Sequence, residues 1–114
     1  SGHSIDGQQP KSSAETKLHT LAVSNFHAGA VLHTHSVHAT VLSLKYLKAG
    51  GIWLEGFEML KGLESITTHE AKVWFPIFAN TQDMDALSAT VADYFAKSRM
   101  QLTPGFLISG HGLY

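Results

Sequence analysis

Cysteine is absent from these 114 residues, so disulfides, thiolate metal ligands and a cysteine nucleophile are all excluded. Any metal bound here must sit on His, Asp or Glu. Charge is scarce and balanced: 15% of residues are charged, with eight Lys and Arg against nine Asp and Glu, for a formal charge of -1. Such a chain has no broad positive field for a phosphate backbone, and nucleic acid is not an expected partner. Its apolar runs fall far short of the roughly 20 residues a membrane span needs. The N-terminus lacks the basic and then apolar layout of a signal peptide. No membrane partner and a cytoplasmic location are the default expectations.

What is present suits a globular protein. Apolar residues make up 44% of the chain, enough to bury a core, and the length suits one α/β domain. Histidine is the oddity, with eight in so short a chain. Ser1-Gly2-His3 has the look of an appended remnant, which leaves seven to explain.

Residues 1–11 are rich in Gly, Ser, Gln and Pro, with Ile5 as the one apolar residue, and read as a flexible arm or loop. Residues 12–114 read as the domain. Ser12-x-x-Glu15 has the capping-box pattern, and Leu18, Leu21, Ala22 and Phe26 follow at helical spacing, predicting a helix over about 13–25. Ala30-Val31-Leu32 reads as a short buried strand running into His33-Thr34-His35. Ser36 can cap a second helix carrying Val37, Val41, Leu44 and Leu47, which ends at Ala49-Gly50-Gly51. Ile52-Trp53-Leu54 suggests a brief strand, and Phe57, Leu60 and Leu63 a helical turn. The alternation over 72–79 predicts a strand, which Pro76 would confine to an edge or a bulge. Asp83 starts a third helix, and Phe106-Leu107-Ile108 forms the last strand, entering Ser109-Gly110-His111-Gly112. Alternating helices and strands point to a layered α/β fold.

His33 and His35 stand two apart at a strand end, so both imidazoles project from the same side. Two neutral imidazoles fixed in this way supply two legs of a metal tripod, and zinc accepts nitrogen ligands at about 2.0–2.1 Å. His111 is the best third leg: it too follows an apolar strand, and Gly110 and Gly112 let backbone and ring approach closely. A lone His-x-His is more often a pair satisfied by backbone groups; the second His, flanked by glycines, decides for metal. His38 invites comparison with the His-x-His-x-Asp-His of metallo-β-lactamases, but Val37 stands where that motif needs Asp. Too much helix is present for a cupin and too little chain for an amidohydrolase barrel. His19 and His27 read as structural, His38 as packing or support, and His69 stays open. Among the carboxylates Glu58 stands out, because Phe57 and Met59 would shield it from water; by spacing alone Glu55 is its equal.

Taken together, Ser13-Ala14-Glu15-Thr16, Ala30-Val31-Leu32-His33-Thr34-His35-Ser36 and Ser109-Gly110-His111-Gly112-Leu113-Tyr114 resemble the class II aldolase and adducin-head family. The segments 55–62, 66–70 and 76–81 narrow the resemblance to its branch that dehydrates a methylthio-substituted ketose phosphate in methionine salvage. The resemblance covers nearly everything from Gln9 to Tyr114. It implies a three-layer α/β/α sandwich of the class II aldolase type, and one Zn2+ per subunit on His33, His35 and His111. It further implies Glu58 as catalytic acid/base, Glu15 and Ser13 as substrate contacts, a small sugar phosphate as substrate, and a homotetramer. An aldolase or epimerase on another sugar phosphate, or a non-catalytic module like the adducin head, would share the fold. Family members carry an upstream glycine-rich phosphate-binding segment and continue past His-Gly-Leu-Tyr, so the domain is expected to be incomplete at both ends. Poorly anchored terminal segments and apolar side chains showing at sheet or helix edges are then expected as well.

Overall fold

The computed structural model describes residues 5–98 and 103–114. Residues 1–4, which open the expected arm and include Ser1-Gly2-His3, lie outside the described residues, as do 99–102. The elements are helices α1 (Thr16–Phe26), α2 (Val37–Tyr46) and α3 (Met84–Lys97), and strands β1 (Gly51–Leu54), β2 (Val73–Phe78), β3 (Leu107–Ile108) and β4 (Gly112–Leu113). Short 3-10 turns occupy Leu47–Ala49 and Glu58–Gly62. Two compact units result, one comprising Ser1–Leu32 with Thr81–Arg99, the other His33–Asn80 with Met100–Tyr114. No helix among the described residues is long and apolar enough to cross a membrane.

In the first unit α1 packs on α3. Leu18 and Ala22 of one helix and Leu87 and Val91 of the other are buried, at the i, i+4 spacing that puts side chains on one helix face. Phe26 and Phe95 extend the contact, their ring centroids 4.7 Å apart. Asp83 caps α3, its carboxylate accepting the Ala86 N–H at 2.9 Å, as the sequence predicts. The capping box expected at Ser12 does not form. Instead Ser13 Oγ accepts the Glu15 N–H and donates to the Glu15 carboxylate, and Glu15 stands as N-cap without a side-chain cap bond. The local hydroxyl one residue later captures the acid that the box would have used.

Ala30-Val31-Leu32 is not a strand, and Leu32 is 81% exposed. The second unit holds the sheet, in the order β1-β2-β3-β4. Strands β1 and β2 are antiparallel, β2 and β3 parallel, and β3 and β4 form a hairpin. Pro76 lies inside β2, an interior strand, rather than at an edge. The register explains why it is tolerated. The Ile77 N–H donates to Gly50 O at 3.0 Å, so the next pair, Gly51 with Pro76, falls at a non-hydrogen-bonded position where the imino nitrogen points away from β1. On that other side β3 pairs only from Ile77 onward. The proline therefore costs the ladder no bond.

Helix α2 packs against β1, β3 and β4. Its N-terminus is set by Ser36, whose side chain accepts from Ala39. It turns Ser43, fully buried, to the inside and leaves Val37, Val41 and Leu44 at 73, 56 and 61% exposure, so apolar side chains do show along a helix edge. The C-terminal segment is anchored, against expectation. Phe106 and Tyr114 exchange two backbone hydrogen bonds of 2.9 Å, and Tyr114 is buried against Phe106 with rings stacked at 5.1 Å and 5°. Cross-strand aromatic stacking gives this short edge a grip that two-residue strands lack by themselves. Residues 5–14 are exposed throughout, with a local turn in which the Asp6 carboxylate accepts from the Gln8 and Gln9 N–H groups.

Leu87 is 2% exposed, so Leu87→Ala should lower the unfolding free energy by about 2–5 kcal/mol. Urea titration measures this directly, and a loss well under 1 kcal/mol would mean that the α1–α3 packing is not as described.

Candidate metal centre

The second unit brings the three sequence-predicted histidines together. His33 and His35 flank Thr34, which forms a single antiparallel bridge with Leu113. Both of its hydrogen bonds, Thr34 N–H to Leu113 O and Leu113 N–H to Thr34 O, are 2.9 Å. One bridge suffices to hold residues 33–35 extended, and period-two alternation then sends both imidazoles to one side. Gly112 makes the approach possible, because a Cβ there would overlap Thr34 O and lie 3.0 Å from His33 Cε1. His111 reaches the same point from the β3–β4 hairpin, whose loop Ser109-Gly110-His111 turns at Gly110 with φ +67°. Its N–H donates to Ile108 O at 3.0 Å.

The ring nitrogens converge. His35 Nε2 lies 2.8 Å from His33 Nε2 and 3.1 Å from His111 Nε2, and the rings meet edge to face with centroids 4.6–5.1 Å apart. For nitrogens about 2.05 Å from a common ion, those two separations subtend roughly 85–100°. Both angles are compatible with nitrogens that share one ion. The chemistry of the donors agrees. His33 Nδ1 is 3.0 Å from Leu113 O, an atom that can only accept, so in the neutral ring Nδ1 carries the proton and Nε2 presents its lone pair. A single proton on His35 Nε2 cannot serve both short contacts in good geometry, whereas one cation takes all three lone pairs. His33 is further fixed by Tyr114, stacked on it at 3.9 Å and 18°.

Groups that sequence reasoning missed hold the hairpin in place. Ser43 Oγ accepts the Gly110 N–H at 3.0 Å, and Thr40 Oγ1 donates to His111 O at 3.2 Å. The available signal was two small hydroxyls three residues apart within an apolar helix.

Glu58 and Glu55 are placed otherwise. Glu58 opens the 3-10 turn Glu58–Gly62 and is not among the side chains gathered with the three histidines. It pairs with Lys61, and with His69 Nδ1 at 3.2 Å. The expected apolar shielding fails: Phe57 and Met59 are 58 and 85% exposed, and the Glu58 side chain is 67% exposed. Within the turn only Leu60 is buried, so the residues beside Glu58 in sequence do not cover it. Glu55 pairs with Lys72 at 2.7 Å. Ser13 and Glu15 belong to the first unit, hydrogen-bonded to each other at the start of α1.

The chain matches the Class II Aldolase and Adducin N-terminal domain over residues 1–114. It is 50% identical to the methylthioribulose-1-phosphate dehydratase of Marinobacter nauticus, an alignment covering 91% of this chain and 50% of that protein. With the protein of the same name from Xanthomonas campestris pv. campestris it shares 50% identity over 95% of this chain and 49% of the relative. With that of Serratia proteamaculans it shares 49% over the whole chain and 54% of the relative. The chain thus spans about half the length of the curated relatives it matches. With the family matched over residues 1–114 and a mixed α/β structure around the histidine cluster, this chain belongs to the class II aldolase and adducin N-terminal domain family.

Proposed function

We propose that this chain carries the zinc centre of a lyase that dehydrates 5-methylthioribulose 1-phosphate to a 2,3-diketo-5-methylthiopentyl 1-phosphate. The observation that carries this reading is the meeting of three imidazole Nε2 atoms at 2.8 and 3.1 Å. The relatives named methylthioribulose-1-phosphate dehydratase, at about half identity, support the choice of substrate. His33, His35 and His111 are the proposed ligands, and an all-nitrogen set in a cysteine-free chain favours zinc among divalent ions. When bound, the ion supplies Lewis-acid polarisation of the ketose oxygens. Glu58 is the proposed acid and base: it removes the C3 proton and returns a proton to the C4 hydroxyl, which departs as water, and the resulting enol becomes the second ketone. Its pairs with Lys61 and His69 involve half-exposed or exposed side chains, and such contacts are weak enough to rearrange around a substrate.

Ser13 and Glu15 are proposed at the edge of the bound substrate. Residues 12–114 are proposed to form one partial class II aldolase-like domain, a three-layer α/β/α sandwich with 1–11 as an arm. The working protein is proposed to be a cytoplasmic homotetramer.

Zinc titration with elemental analysis should show one ion per chain, and His35→Ala should abolish stoichiometric binding because it removes the central ligand of the cluster. Full zinc uptake by that variant would place the metal elsewhere. In the active protein, Glu58→Gln should keep its metal while turnover of 5-methylthioribulose 1-phosphate falls roughly 100-fold or more. Near-normal dehydration would move the role to another carboxylate, with Glu55 first in line, and aldol cleavage products in place of water loss would make the enzyme an aldolase.

A further inference from the structure

We infer that Thr40 and Ser43 of α2 are positioning residues that set where the His111 ligand stands, an inference that rests on the zinc reading above. Ser43 is fully buried, and its hydroxyl proton is committed to the Thr40 carbonyl at 2.6 Å. The oxygen is therefore left with lone pairs only, and one of them receives the Gly110 N–H at 3.0 Å. Thr40 works with the opposite polarity, its hydroxyl donating to His111 O at 3.2 Å. The two contacts bracket residues 110 and 111, whose backbone dihedrals fix the direction of the His111 Cα–Cβ bond. Gly110 is in the left-handed region at φ +67°, which a glycine adopts readily, so the turn can take up the position that the two hydroxyls set.

The same helix holds the other two ligands. Residue 36 caps α2, and the Thr40 N–H closes the first turn on Ser36 O at 2.9 Å, so His35 and His33 leave directly from the helix N-terminus. α2 is thereby a common frame: one end carries His33 and His35 by covalent connection, and the side chains one to two turns along carry His111 by hydrogen bonds. Two hydroxyls facing the sheet side of a helix that leaves Val37, Val41 and Leu44 in solvent mark a position where aligning a loop has taken precedence over apolar burial. Partners that orient a ligand by bonding its side chain commonly alter metal affinity by roughly 10–100-fold, and contacts that fix its backbone act on the same orientation.

The test uses the full chain, with Zn2+ titrated against a chromophoric chelator and Co2+ as a spectroscopic substitute whose visible bands report ligand geometry. Ser43→Ala and Thr40→Val should each weaken Zn2+ binding by roughly 10-fold or more and change the Co2+ bands, while Thr40→Ser, which keeps the hydroxyl, should restore both. Leu87→Ala, which loosens the other unit's core, should leave the Co2+ bands unchanged, separating positioning from general destabilisation. Affinities within twofold of wild type together with unchanged bands in both hydroxyl variants would overturn the inference. If Ser43→Ala does not fold, the Thr40→Val and Thr40→Ser pair decides. A wild-type chain that takes up no Zn2+, or binds it equally after His35→Ala, overturns the zinc reading and this inference with it, an outcome distinct from tight wild-type binding that the hydroxyl variants leave untouched.

Discussion

The carbonyl of Leu113 accepts two hydrogen bonds, one from the Thr34 N–H and one from His33 Nδ1, and much of the second unit depends on that atom. The first bond, with its return from Leu113 N–H to Thr34 O, joins segments 79 residues apart in sequence without a regular strand on one side. The second selects the tautomer of His33 and aims its Nε2 at His35. A carbonyl has two lone pairs, so one group can set both backbone register and side-chain orientation. Little room surrounds this junction: Gly112 admits no Cβ without overlapping Thr34 O. The closeness that brings the rings together is thus a backbone property, fixed before any ligand arrives.

Around that junction the supporting contacts are of two kinds, aromatic and polar. Phe106, Tyr114 and His33 form a stacked column, giving the C-terminal segment apolar anchorage that two-residue strands could not provide. Thr40 and Ser43 meet the peptide groups of the Ser109-Gly110-His111 loop. The loop's backbone polar groups are partly withdrawn from water and need partners; α2 provides them with hydroxyls, and its apolar row at 37, 41 and 44 is left outside. A helix that looks amphipathic by spacing is therefore oriented by hydrogen-bond demand in this unit.

The sequence by itself determined those features whose cause is local. The three helices, the caps at Ser36 and Asp83, and the strand through Pro76 follow from spacing and capping chemistry within a few residues. His33 and His35 share a side because backbone alternation needs only one intervening residue, and the glycines about His111 marked a close approach. Family membership was legible for the same reason: the motifs are contiguous. Tertiary structure decided what depends on distant partners. The Ala30-Val31-Leu32 run has strand composition but no pairing neighbour, and only Thr34 finds one. Pro76 is admitted to an interior strand by a register set by β1 and β3, which no local pattern encodes. Glu58 has apolar neighbours in sequence yet lies open to solvent beside Lys61 and His69, because burial is conferred by other elements rather than by adjacent residues. The meeting of His111 with a pair 76 and 78 positions earlier, and the tautomer of His33, required the Thr34–Leu113 bridge, since hydrogen bonds of high sequence separation exist only once the chain has closed on itself.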